Sequence, residues 1–326
     1  MARFLDKSTG GSVVVDGFDS IARYQMVPLD GQRSVTVQTK ANTAKLRITL
    51  NPRAILIGNF RDAGGASSAG LPGAGEFRND KEFEIPANAT IKFDIKGQQF
   101  ANAAIDLLEF PGDLENIDND SIIVGVKAKI TKKIAFVFVS DVRGKVQERF
   151  QALGIDPRSL LRDINTSLSA QVNMELQDVD AASDIKELTI IGDLGDPIIL
   201  DKKWIVGDQT IKQLLLNEVF LKFPRLFPAT HFVILLTRQI QFLKDKNVLD
   251  VDVLFSTGSN VIFMTPFTRD RDLLQIALLH EVGHASGADH NCSTVNVMFP
   301  IITGTNKLFL AEHIEAIHHG GPIFPR

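Results

Sequence analysis

The chain changes its hydrophobic rhythm part-way along. Over its first third, apolar and polar positions alternate in short runs: "GSVVVDGF", "RSVTVQTK", "AKLRITLN", "RAILIGNF", "FEIPANATIKFDIKG" and "NAAIDLLEF". A period of two sends successive side chains to opposite faces of a strand. Gly, Pro, Asn and Asp separate the runs at intervals that suit two packed sheets. The pattern predicts an all-β, Ig-like sandwich over residues 1–120. Within it, "RDAGGASSAGLPGAGEF" (Arg61 to Phe77) has no G-K-[ST] ending and reads as a long connection, not a phosphate loop.

The polar, turn-rich "EFPGDLENIDNDS" (Glu109 to Ser121) then marks a boundary, with a second domain over residues 121–326. There "KKIAFVFVSD" is an apolar strand of the buried kind, and the stretch that follows has helical spacing broken near Gly154 and Pro157. "QVNMELQDVD", "ATHFVILLT", "LDVDVLFSTG" and "SNVIFMTP" read as further strands. This order predicts an α+β domain with a mixed sheet.

The last strong pattern is "RDLLQIALLHEVGHASG", apolar nearly all round and so a buried helix. Asp272 with Gln275 three residues on resembles a capping box, and Gly287 is a natural stop. His280 and His284 lie one turn apart on one face, which aims two imidazoles at a common point. Glu281, beside that point, can take a proton from a metal-bound water without being a ligand. Gly287 lets the chain leave the helix, and His290 can return to the same point as a third ligand. A lone buried helical histidine is more often a hydrogen-bonded core residue. Here five positions fit H-E-x-x-H-x-x-G-x-x-H, and the residues read as a zinc site.

Composition adds mostly exclusions. The formal net charge of −4 gives no electrostatic case for nucleic acid. No apolar run reaches the roughly 18–20 residues that span a bilayer. The first residues lack the apolar core of a secretory signal, and the single cysteine, Cys292, rules out an intrachain disulfide. Cytoplasmic origin is the default expectation, with signal-independent secretion left open.

"HEVGHASGADH", followed eight residues after His290 by Met298 in "VNVMFP", resembles the metzincin metallopeptidases and their Met-turn. The resemblance implies an endopeptidase with one catalytic zinc on His280, His284 and His290, and Glu281 as general base. Met298 would be the apolar floor beneath the metal. "MFPII" is similar to the matrixin pattern, which implies a hydrophobic pocket of Phe299, Pro300, Ile301 and Ile302. "SNVIFM" takes the place of the family's edge strand, implying that Asn260, Val261, Ile262 and Phe263 pair with an extended protein or peptide substrate. "LFLAEHIEAIHH" is similar to the helix that closes such domains. The likeness is specific over Ser259 to His319, architectural from Lys132, and silent on residues 1–120. Asn291 after the third histidine, and Phe299 in place of a tyrosine after Met298, leave the subfamily open.

"FPGD" (Phe110 to Asp113) resembles the segment of astacin prodomains whose aspartate covers the zinc, which makes Asp113 a candidate latch beside the plainer reading of a linker turn. "DVDAASD" and "GDLGDP" are weighed as Ca²⁺ loops, but neither has the twelve-residue ligand pattern. His313, His318 and His319 read as surface or interface histidines. Two rival functions stand beside the peptidase. One is a zinc-stabilised binding protein whose sandwich does the biological work. The other is a narrow-specificity exported effector or toxin protease, with the sandwich binding a partner or targeting the enzyme.

Overall fold

A computed structural model describes residues 2–6, 16–62, 64–66, 70–109, 118–244, 247–251, 255–256, 260–301 and 307–319. Contacts divide the chain into two compact units. One is Met1–Ile130 with Ser169–Asn173 and Lys307–Arg326; the other is Thr131–Leu168 with Met174–Asn306.

The first unit is a β-sandwich. Its strands begin with β1 (Arg3–Phe4), β2 (Phe18–Asp19), β3 (Tyr24–Pro28), β4 (Gln32–Gln38) and β5 (Ala44–Leu50). They continue with β6 (Ile55–Asp62), β7 (Phe77–Arg78), β8 (Glu82–Ile85), β9 (Thr90–Gly97), β10 (Asn102–Glu109) and β11 (Asp118–Lys127). One sheet has the order β1-β4-β9-β6-β7 and the other β2-β3-β11-β10-β5-β8. The alternation seen in sequence becomes the core. Val35, Val37, Phe93, Ile95, Ile55 and Ile57 of the first sheet join Leu46, Ile48, Ile105, Leu107, Val124 and Val126 of the second in one buried cluster. In β6 the register shifts between Gly58 and Arg61, and a Cβ on Gly58 would lie 1.9 Å from the Glu76 carbonyl oxygen. Only glycine fits there.

Two differences from the sequence reading follow. β11 pairs antiparallel with β10 and parallel with β3, so the sandwich runs past residue 120 to Lys127. The helix over Ala311–His319 belongs to this unit, although the family resemblance makes it the closing helix of the peptidase domain. Asp19 accepts from its Ala311 N–H (2.9 Å), Tyr24 donates to Glu315 (2.8 Å), and the Lys127–Glu315 ion pair (2.6 Å) is buried to 2% exposure on both sides. These anchors sit far away in sequence, where no local pattern reports them.

The second unit opens with β12 (Ile130–Ser140), α1 (Val146–Ala152) and α2 (Pro157–Val172), the last of which ends in the first unit. There follow β13 (Met174–Asp178), β14 (Lys186–Thr189), β15 (Ile198–Ile199), α3 (Ile211–Lys222) and α4 (Leu226–Ala229). Then come β16 (Phe232–Leu236), β17 (Ile240–Lys244), β18 (Asn247–Val251), β19 (Phe255–Ser256), β20 (Val261–Met264) and α5 (Arg271–Ala285). The helix over Ala311–His319 is α6. The main sheet has the order β13-β12-β16-β20-β19, with β14 also on β12, and β15-β17-β18 form a small second sheet. β12, β16 and β20 run parallel and β19 antiparallel to β20. β16 and β20 are buried throughout, as strands of a covered parallel sheet are. The chain is therefore an N-terminal β-sandwich followed by an α/β region with mixed sheets.

The topology corrects the reading of Asn260–Phe263 as an edge. β20 is hydrogen-bonded on both sides, by β16 and by β19, so among the described strands the outer one is β19. "LDVDVLFSTG", read as one strand, supplies parts of β18 and β19. α3 had no counterpart in the sequence reading, yet its signal is present: Thr210 and Gln213 form a full capping box.

Candidate metal centre

α5 carries the site, and its two ends explain its placement. The cap at its start is Asp270, whose carboxylate accepts from the N–H groups of Asp272 and Leu273. The capping box expected at Asp272 and Gln275 does not form; the Gln275 amide instead donates to Asp163 (3.1 Å). At the other end Gly287 has φ +101°, a left-handed conformation that favours glycine. Its N–H bonds to the His284 carbonyl (3.0 Å) and the Ala288 N–H to the Gly283 carbonyl (2.9 Å). That pair of bonds is a Schellman ending, and it folds the chain back over the helix's last turn.

The fold-back brings the three histidines together. Nε2 of His284 lies 3.1 Å from Nε2 of His280 and 3.1 Å from Nε2 of His290, and the third separation is 3.3 Å. Among the described residues this is the one group of side chains that could hold a metal ion. Two of the other ring nitrogens are fixed from behind. Nδ1 of His280 donates to the Val297 carbonyl and Nδ1 of His284 to the Ala288 carbonyl, each at 2.8 Å. A carbonyl can only accept, so both Nδ1 atoms carry the proton and both Nε2 atoms of the neutral rings are bare. Two bare nitrogens 3.1 Å apart repel unless a positive charge lies between them.

The spacing fits such a charge. Tetrahedral zinc with Zn–N of about 2.0–2.1 Å requires N···N edges of about 3.3–3.4 Å, within a few tenths of an ångström of those present. Burial, with the neighbouring His290 adding to it, lowers the His284 pKa and favours the neutral form that a metal needs. His280 is buried, His284 half-buried and His290 exposed, so the cluster opens toward solvent on one side.

The remaining residues divide. Glu281 follows His280 on the helix and is buried to 6% exposure. Met298 is buried outright, and its backbone ties the loop together: its carbonyl accepts from the Asn291 N–H (3.1 Å) and its N–H donates to Asn296 Oδ1 (2.7 Å). Asn291 uses its side chain to cap a turn at Ser293 (2.7 Å). Phe299 is half-buried, whereas Pro300 and Ile301 are exposed, Ile301 to 64%. Cys292 is exposed and outside the histidine group. Ile302 and Asp113 lie outside the described residues.

Sequence reasoning missed the supports. Asn296 is fully buried and braces the turn that presents the Val297 carbonyl to His280. An Asn two residues before the methionine was the available sign, since Asn side chains commonly bond to backbone two residues on. Four carboxylates of the acidic loops weighed for Ca²⁺ are already engaged with cations. Asp178 pairs with Arg158, Asp180 with Lys186, Asp193 with Arg143 and Asp196 with Arg149.

No family model and no curated protein sequence matches this chain. Among solved structures it is similar to WR4, a C. elegans MSP family member, at 8% identity and TM-score 0.21, over 32% of this chain and 92% of that one. It is also similar to fibronectin(III)-like modules of Clostridium thermocellum CbhA, at 10% identity and TM-score 0.17, over 39% and 98%. A family 123 glycoside hydrolase from Clostridium perfringens aligns at 9% identity and TM-score 0.16, over 70% and 47%. Likeness at these scores decides nothing about function, and the sandwich and the histidine site rest on strand pairing and distances within this chain.

Proposed function

We propose that this chain is a zinc-dependent endopeptidase of metzincin type. The observation that carries the reading is the convergence of three Nε2 atoms within 3.3 Å, two of them held bare by backbone carbonyls, next to a buried glutamate. A structural zinc site is usually closed by four protein ligands, and among the described residues this one offers three and an open side.

A bound zinc ion would supply Lewis-acid polarisation of a carbonyl and make water more acidic. The chain's own groups do the rest. His280, His284 and His290 hold the ion, and the Val297 and Ala288 carbonyls fix the tautomer and plane of two of them. Glu281 accepts the proton of the attacking water and passes it to the leaving amine. Substrate adds as an extended strand on the outer edge of β19, using main-chain hydrogen bonds, with Phe299, Pro300 and Ile301 near the site for its side chains.

The test combines metal analysis with cleavage of a quenched, unstructured peptide library by the wild type and by Glu281→Ala. The expected result is one zinc per chain in both and chelator-sensitive cleavage in the wild type alone. Cleavage retained by Glu281→Ala would sink the mechanism. Zinc bound without cleavage of any peptide would favour the binding-protein reading.

A further inference from the structure

α3 is apolar on more than one side. Ile211, Leu214, Leu215 and Val219 are buried in the core of the second unit, while Phe220 and Leu221, at its last turn, are 56% and 70% exposed. Just beyond them the chain turns into α4 and, with the end of β13 and the start of β14, forms an open groove of about 510 Å³. That is within the range of small binding sites. Val179, Phe223, Pro224 and Leu226 give it an apolar floor.

Its rim is basic, formed by Lys186, Lys222 and Arg225. The one acidic lining residue, Asp180, is already paired with Lys186. Lys222 spends one donor on the Glu187 backbone carbonyl (2.8 Å) and lies 5.6 Å from the Phe223 ring centroid, and among the described residues no ion pair takes up its charge. A basic rim stands out in a chain of net charge −4.

We propose that this groove docks an acidic peptide segment of a protein partner. Apolar side chains of the segment would sit on Phe223 and Leu226, and its carboxylates would meet Lys222 and Arg225. Charge complementarity selects an acidic segment over a neutral one. A concave floor suits a peptide and not a lipid surface, which takes up a projecting apolar face.

The probe is a short fluorescent peptide that alternates glutamate with leucine and phenylalanine, read by anisotropy on the full chain. Comparison peptides replace glutamate with glutamine or with lysine. The wild type should bind the glutamate peptide about tenfold more tightly than the glutamine peptide. Lys222→Glu with Arg225→Glu should abolish that preference and favour the lysine peptide, with unchanged melting and metal content. Equal affinity for the glutamate and glutamine peptides overturns the proposal, as does a preference that survives the charge reversal. Retention on phosphatidylserine vesicles in place of the peptide overturns it too. Binding is the readout, and a Glu281→Gln chain should show the same preference as the wild type, so failure of the zinc reading would leave this result standing.

Discussion

Two helices of this protein end in histidines, and their surroundings send the same side chain to opposite uses. On α5, Nδ1 of His280 and His284 is tied to carbonyls, and three Nε2 atoms converge on one point. On α6 the Nε2 atoms are consumed: His318 donates to the Val172 carbonyl (2.7 Å), and His319 lies 3.3 Å from the Glu315 carboxylate. His313, expected at a surface or interface, is buried. Closeness in sequence is shared by both sets. What differs is which ring nitrogen the backbone takes, and whether the chain folds back to add a third ring.

The comparison can be broken at several points, the largest effects first. On α5, removing metal with a chelator should abolish peptide cleavage, and added zinc should restore it. Glu281→Gln should lower kcat by about 10²–10⁴-fold, as loss of a general base does, while metal content stays at one per chain. A variant that loses its metal instead would make Glu281 structural.

On α6, Lys127→Ala takes the lysine ammonium away from the buried Glu315 carboxylate, which keeps the Tyr24 hydroxyl and His319 beside it. Urea denaturation should register a loss of about 3–5 kcal/mol, with zinc content untouched. A change below about 1 kcal/mol would mean that water reaches Glu315 in solution.

His318 gives a pH signature. Burial pushes its pKa down to about 4, so the fold favours the neutral ring. Its contribution is therefore present above the unfolded value near 6.5 and is lost as pH falls from there toward 4. The loss should reach roughly 2–3 kcal/mol, and His318→Gln should flatten the slope over that window. An unchanged slope would assign the titration to other groups.

The smallest effect belongs to Asn296→Ala. It removes the brace behind the Val297 carbonyl and should weaken zinc binding by about 10-fold in a competition titration. Full retention of affinity would show that packing alone holds the turn.

The sequence by itself determined what depends on neighbours a few residues away. Helical periodicity placed His280 over His284, and Gly287 supplied the left-handed turn that returns His290. The period-two runs predicted β4, β5, β6, β9 and β10, because alternation is a local property of a half-buried strand. Tertiary structure decided what depends on distant partners. β20 became an inner strand because β19 pairs with its far side. α6 joined the sandwich because Asp19, Tyr24 and Lys127 receive it, and the carbonyls that fix the histidine tautomers come from turns whose geometry no short pattern encodes. A helix or strand is chosen by local spacing; which face meets which is chosen by long-range burial and hydrogen-bond pairing.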